Sequence, residues 1–144
     1  MADIAMQLTI QADAETVRAA VATEAGVRSW FTADAVVGEG VGAEHALGFP
    51  GVPEPWRLTV VESEPHRLVL AGRNGPWTGT TQTYELRETE PGKPEVTLVF
   101  THAGFPAQDE TYRSFTYGWA TKFTALKTYA ETGEPAPFFT GGSE

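Results

Sequence analysis

The stretch YRSFTYGWATKFTALKTY, residues 112–129, constrains the fold more than any other part of the chain, because six of its eighteen residues are aromatic. At about 3.6 residues per turn, six of the apolar residues of a helix over 110–131 fall on one stripe, whereas Tyr117 lies nearly opposite it and Tyr129 on its flank. The stripe consists of Tyr112, Phe115, Trp119, Phe123, Leu126 and Ala130. An apolar stripe of this kind has to be covered by another apolar surface. The rest of the chain must therefore supply a large apolar face.

Most of the preceding sequence predicts a sheet that can provide this face. Residues 4–10 alternate between apolar and polar side chains, which is typical of a half-buried strand. Later segments rich in Val, Thr, Tyr and Trp are separated by short turns such as Asn74-Gly75. Short connections favour antiparallel pairing. The later strands are expected at 33–37, 44–49, 56–63, 66–72, 77–88 and 94–103.

Helices are expected on either side of these later strands. Asp13 is a good N-cap for a helix over 14–22, and a second short helix should follow and deliver Trp30 and Phe31. The long C-terminal helix should end before Gly133. We therefore expect a single domain over residues 1–133 and a flexible tail over 134–144.

Composition and charge exclude several classes of function. The net charge of −9 argues against nucleic acid as a partner, because phosphate binding needs clustered Lys and Arg. The absence of cysteine excludes disulfides and thiolate sites, and the three histidines are not at metal-ligand spacing. We expect no metal and no cofactor. No segment reaches the roughly 20 apolar residues of a membrane span, and no signal peptide is recognisable, so we expect a cytoplasmic protein.

The aromatic residues have two interpretations. They can fill the space between helix and sheet as solid core, or they can line a cavity. Inward-facing polar residues such as His102 favour the cavity, because an apolar pocket with a few polar groups is typical of small-ligand sites. The proline-rich loop before Trp56 is a candidate lid. The candidate ligand-binding residues are Trp30, Phe31, Trp56, Trp77, Tyr84, Phe100, His102, Tyr112, Phe115, Trp119 and Phe123.

The order of elements resembles that of the START-like, helix-grip superfamily, also called SRPBCC. The segments that carry this resemblance are TEAGVRSWFT at 23–32 and GWATKFTALKTYAETGEP at 118–135. The sequence is most similar to the branch homologous to the C-terminal domain of the activator of HSP-90 ATPase. The resemblance implies an α+β helix-grip fold, in which a curved antiparallel sheet of about seven strands wraps around the long C-terminal helix. It also implies a hydrophobic cavity between the two.

Three functions remain open at this point, because members of the superfamily share a fold with a cavity but do not share one reaction. The leading hypothesis is binding of a small hydrophobic molecule, aromatic or lipid-like. The second is a cyclase, dehydratase or hydrolase that uses His102 as acid and base beside Tyr84 or Tyr112. The third is a module that interacts with a chaperone. Self-association of the chain is a further hypothesis about its partners.

Overall fold

The computed structural model describes residues 1–139, which form seven strands, three α-helices and one 3-10 turn. The strands are β1 (Ala2–Ile10), β2 (Ala35–Val37), β3 (Glu44–Leu47), β4 (Trp56–Glu64), β5 (Arg67–Gly72), β6 (Thr81–Glu88) and β7 (Val96–Phe105). The helices are α1 (Ala14–Ala22), α2 (Glu24–Trp30) and α3 (Glu110–Thr132), and the 3-10 turn is Gly75–Trp77. Although α3 has 23 residues, no helix within residues 1–139 is long and apolar enough to cross a membrane.

All neighbouring strands pair antiparallel in the order β1-β7-β6-β5-β4-β3-β2. The strands after β1 follow their sequence order, and β1 lies beside β7. The expected helix-grip fold is confirmed: a seven-stranded antiparallel sheet with a long C-terminal helix.

The core lies between one face of the sheet and α3. In β7, Val96, Leu98, Phe100 and His102 are buried, whereas the residues between them are half-buried. On α3 the buried side chains recur at helical spacing, as the stripe predicted, and Tyr117 on the outer face is 74% exposed. The buried residues of α3 are Trp119, Phe123, Leu126 and Ala130.

Helices α1 and α2 close one end of this core. The Asp13 carboxylate caps α1 by accepting from the Thr16 N–H at 2.8 Å, as expected. The two helices cross closely at Gly26, where an added Cβ would lie 2.2 Å from the Ala19 carbonyl oxygen. The indole of Trp30 then donates to the Ala20 carbonyl at 2.7 Å. These contacts fix the end of α2 and the direction in which Trp30 enters the core.

Helix α3 is attached to β1 near both of its ends. The Tyr112 hydroxyl donates to the Asp3 carbonyl at 3.0 Å, and the Lys127 ammonium donates to the Thr9 carbonyl at 2.8 Å. Gly133 ends the helix in the left-handed conformation with φ 77°, as the sequence predicts. The two side chains also satisfy carbonyls of a strand at the edge of the sheet.

The strand predicted over 77–88 is wrong in its first part, because β6 begins only at Thr81. Gly75 adopts φ 67°, and Pro76 has no N–H to donate to a strand ladder. The chain therefore makes the 3-10 turn, which places Trp77 inside the protein with 2% of its surface exposed.

The tail expected to be flexible from residue 134 is attached over residues 136–139. Ala136, Phe138 and Phe139 donate backbone hydrogen bonds to residues 29–31, and the Phe139 carbonyl accepts from the Ala33 N–H at 2.9 Å. Phe139 thereby pairs with Thr32 in a short parallel bridge. Residues 140–144 of the predicted tail lie outside the described residues, and a domain boundary at 133 stays a prediction.

Candidate ligand-binding site

Several of the predicted site residues form solid core instead of a cavity wall. The ring centroid of Phe100 lies 4.7 Å from that of Trp119 and 4.8 Å from that of Phe123. Tyr84 lies 5.0 Å from Phe100, and Trp30 lies 5.9 Å from Phe123. At these separations aromatic rings are in contact. The centre of the space between helix and sheet is therefore filled by these rings.

His102 is fully buried among these rings, and both of its ring nitrogens are hydrogen-bonded. The Trp119 indole N–H donates to Nδ1 at 3.0 Å, which makes Nδ1 the acceptor and places the proton on Nε2. Nε2 then donates to the Thr80 hydroxyl at 2.8 Å, and that hydroxyl donates to the Trp77 carbonyl at 2.7 Å. His102 thus connects α3, β7 and the segment before β6.

This arrangement keeps the imidazole of His102 neutral. Burial lowers the pKa of His102 to about 3, and protonation would place a second N–H against the Trp119 indole. Burial also raises the pKa of Tyr84, while the Tyr112 hydroxyl is bonded to β1. The geometry is that of a structural histidine with satisfied hydrogen bonds.

A pocket of about 240 Å³ lies at one end of this filled core. We call it the aromatic pocket; its lining consists of Phe31, Phe49, Pro50, Val52, Trp56, Trp77, Phe115, Lys122 and Phe139. These residues come from the position just after α2, the loop before β4, the first residue of β4, the 3-10 turn, α3 and the attached tail. Six of the nine are aromatic, so the pocket is an apolar space with a single ionisable group.

Trp56 occupies the centre of the aromatic wall. Its ring centroid lies 4.8 Å from Phe49, 4.9 Å from Trp77 and 6.0 Å from Phe115. Glycine is strongly favoured at position 75, because a Cβ would lie 3.1 Å from the Trp56 ring on a backbone with positive φ. The Asn74 side chain accepts from the Arg57 N–H at 2.7 Å and donates to the Pro55 carbonyl at 3.2 Å. These bonds hold the start of β4 against the turn.

Lys122 lies at the border of the aromatic pocket within a cage of ring faces. Its Nζ is 5.3 Å from the ring centroids of Phe138 and Phe139, and 5.8 Å from those of Phe31 and Trp119. Burial lowers the pKa of Lys122 to about 8, whereas the negative faces of the rings favour the charged form. The side chain is consequently an ammonium at neutral pH.

Two larger concavities elsewhere have a different character. One of about 400 Å³ lies on the outer side of β2 and β3 and includes Asp34, Glu44 and Arg57. The other, of about 390 Å³, lies between α1, α2 and the end of α3 and is lined largely by Ala, Gly and Thr. Neither contains a cluster of aromatic residues, which makes the smaller aromatic pocket the better candidate for an apolar ligand.

The structure thus separates the eleven predicted site residues into groups. Those that line the aromatic pocket are Phe31, Trp56, Trp77 and Phe115. Those packed in the core are Trp30, Tyr84, Phe100, His102, Trp119 and Phe123. Tyr112 packs on Phe105 at 5.6 Å beside β1.

Sequence reasoning missed the other members of the pocket lining. They are Phe49, Pro50, Val52, Lys122 and Phe139. A signal for Lys122 was present, because it follows Trp119 by three residues and Phe115 by seven and therefore borders the aromatic stripe. Phe139 gave no such signal, because its partners lie about a hundred residues earlier in the chain.

Comparison with known proteins agrees with this architecture. The model of the family described as "Activator of Hsp90 ATPase homolog 1-like protein" matches residues 11–131. The chain belongs to this family. No curated protein matches the sequence.

Solved structures resemble this family member over nearly its whole length. The Aha1 dimer from Colwellia psychrerythraea has 25% identity and a TM-score of 0.82, and the alignment covers 92% of this chain and 98% of that one. CalU16 from Micromonospora echinospora has 18% identity and a TM-score of 0.73, with coverage of 93% and 76%. A Staphylococcus saprophyticus protein has 18% identity and a TM-score of 0.75, with coverage of 94% and 96%. The last two similarities concern the fold alone.

Proposed function

We propose that this AHSA1-family protein binds a small aromatic molecule in the aromatic pocket. The observation that carries the proposal is a pocket of about 240 Å³ with six aromatic residues in its wall. A dry apolar cavity of about 150 Å³ is enough for benzene, and drug-sized ligands use about 300–1,000 Å³. The volume therefore favours a ligand of one or two rings over a long lipid chain.

Burial of ring surface would provide most of the affinity. Apolar surface contributes roughly 25 cal/mol per Å² when it leaves water, and flat aromatic walls add favourable ring contacts. The walls on the core side are well fixed: Trp77 is 2% exposed, and Phe31 is 3% exposed. A ligand would therefore meet a surface that is largely formed in advance, which reduces the entropic cost of binding.

Titration with indole tests this proposal. We expect saturable heat of binding in calorimetric titration, together with chemical-shift changes confined to the aromatic pocket. Val52→Phe should weaken binding by about tenfold or more, because the new ring occupies the pocket. Val61→Phe is the matched control, since Val61 is 49% exposed and is not part of the pocket lining. Equal binding by the two variants, or no binding by the unmodified protein, would contradict the proposal.

A second candidate function is interaction with an Hsp90-type chaperone, favoured by the family to which the chain belongs. Tyr117 on the outer face of α3 is 74% exposed, and Phe138 is 46% exposed, so an apolar surface is accessible. Stimulation of the ATPase of a purified Hsp90 chaperone would support this function. Tyr117→Ala should reduce the stimulation, and loss of stimulation without loss of indole binding would separate the two functions.

Self-association belongs with this second candidate, because a similar solved structure is titled as a dimer. Sedimentation analysis over a range of concentrations measures it directly. The acid–base role expected of His102 gains no support from the geometry, since both of its ring nitrogens are occupied.

A further inference from the structure

Two hydrogen-bond donors in the lining of the aromatic pocket have no acceptor within residues 1–139. The indole Nε1 of Trp77 is buried and has no hydrogen-bond partner within residues 1–139. The Lys122 ammonium forms no ion pair with a carboxylate of residues 1–139. Buried donors are normally satisfied, and each one left unpaired costs free energy. The Trp77 indole and the Lys122 ammonium therefore both lack the same kind of partner within residues 1–139, namely a hydrogen-bond acceptor.

Lys122 differs in this respect from the other two lysines of the chain, which are paired with carboxylates. Lys93 pairs with Glu95 at 3.3 Å, and Lys127 pairs with Glu131 at 2.6 Å. The chain has 19 acidic residues against 10 Lys and Arg, so carboxylates are abundant. Yet none of the nine residues that line the pocket is acidic. Within residues 1–139, this half-buried cation of an acidic protein thus contacts four ring faces and pairs with no carboxylate.

The ring faces stabilise the charge without using its hydrogen bonds. An ammonium has three N–H donors, and a cation–π contact leaves their hydrogen-bonding capacity largely unfilled. Gly118 leaves room for the group, because a Cβ at that position would lie 3.0 Å from Nζ. The ammonium is therefore available to an anion that enters beside the aromatic wall.

We propose that the ligand of the aromatic pocket is a small aromatic carboxylate. This inference rests on the binding function proposed above and adds the chemical class of the ligand. The aromatic ring lies against Trp56 and Phe115, and the carboxylate accepts from Lys122. One carboxylate matches the single positive charge of the lining, and a charge-assisted hydrogen bond in a partly apolar site is stronger than a neutral one.

A matched pair of probes separates this inference from the general binding function. Indole-3-acetate and indole-3-acetamide have nearly the same size and differ in charge. For the unmodified protein we expect the acid to bind at least about tenfold more tightly than the amide, in accordance with a charge-assisted hydrogen bond. Lys122→Met keeps most of the apolar stem and should abolish this preference while the amide still binds.

Lys127→Met is the control, because Lys127 lies on the same helix but is not part of the pocket lining. It should retain the preference for the acid. Equal affinity for acid and amide in the unmodified protein would overturn the inference and leave the proposed function intact. Preference for the acid that survives Lys122→Met would also overturn it. Absence of binding by either probe, and by indole, would overturn both proposals.

Discussion

The indole N–H of Trp119 donates to Nδ1 of His102 at 3.0 Å in the interior of the protein. This bond joins the C-terminal helix to the last strand and fixes the tautomer of the imidazole. The Thr80 hydroxyl completes the connection on the other side of the ring. The polar residue that first suggested a reactive cavity is therefore part of the framework beside the pocket.

Replacement of His102 by Phe should destabilise the fold. The substitution leaves the Trp119 N–H without an acceptor and the Thr80 hydroxyl without its donor, so we expect a loss of about 1–3 kcal/mol per buried group left unpaired. Chemical denaturation measures the loss. The cost of Thr80→Val should be smaller in the His102→Phe background, because the two residues share one network. Thr101→Val, on the opposite face of β7, should add independently of His102; additive costs for Thr80 and His102 would contradict the network.

Acid should destabilise the protein through its buried histidines. Burial lowers the pKa of His102 to about 3 and that of His45 to about 4, whereas an unfolded histidine titrates near about 6.5. The unfolded state therefore binds more protons as the pH falls below about 6.5, and the contribution to stability is full above that value. Each histidine should remove up to about 1.4 kcal/mol per pH unit until its folded pKa is reached. Denaturation at pH 7, 6, 5 and 4 measures this slope, and His45→Gln should reduce it. The same slope in His45→Gln as in the unmodified protein would contradict the assignment.

Binding of indole-3-acetate should weaken at alkaline pH. The pKa of Lys122 is about 8, so the neutral amine becomes the main form above that value, while the carboxylate stays ionised. We expect affinity to be constant at lower pH and to fall by up to about tenfold per pH unit above pH 8. Calorimetric titrations from pH 6.5 to 9.5 measure this profile. Indole-3-acetamide should show no such decline, and a parallel decline of both probes would contradict the role of Lys122.

Gly118→Ala should raise the stability of the protein and at the same time weaken its preference for the acid over the amide. Alanine in the interior of a helix is favoured over glycine by about 0.8–1.0 kcal/mol, and the new Cβ meets only the flexible end of Lys122 at 3.0 Å. We expect a more stable protein in which the ammonium is displaced and the preference for the acid is reduced. Thermal unfolding and the two-probe titration measure these effects. An unchanged preference would show that Lys122 does not need the space above Gly118.

Removal of residues 136–144 should open the aromatic pocket. It deletes the backbone bonds to residues 29–33 and the ring of Phe139, which lies 5.1 Å from Phe49. We expect indole to bind less tightly and the free energy of unfolding to fall by about 1–3 kcal/mol. Removal of residues 140–144 alone is the control and should leave indole binding unchanged. If the longer deletion also has no effect on binding, Phe139 is not part of the functional wall.

The sequence predicted the fold well because its signals are periodic. Alternation in β7 and the helical stripe of α3 each determine which side chains face inward, and those faces appear in the structure as expected. The predicted start of β6 was wrong, because Gly75 and Pro76 impose a local turn on residues that otherwise favour a strand. Periodic sequence patterns therefore predict helices and strands better than they predict the short segments between them.

The pocket was predicted only in part for a related reason. Trp56 and Phe115 stand out by residue type, but a stripe of rings does not reveal which rings pack on each other and which leave a space. That outcome depends on distances between distant segments, such as the contact of Phe49 with Phe139. The aromatic residues around Trp119 therefore pack as solid core, and the pocket is formed by residues beside them.

Five of the nine residues that line the aromatic pocket lie outside the helices and strands: Phe31, Phe49, Pro50, Val52 and Phe139. Substitutions at these positions would alter the outline of the pocket while the hydrogen-bond ladders of the sheet stay intact. More than half of the proposed site is thus formed by segments that take no part in the pairing of the strands. Ligand preference at the proposed site should therefore respond to substitutions in one loop and two short flanking segments that lie beside the pairing of the strands.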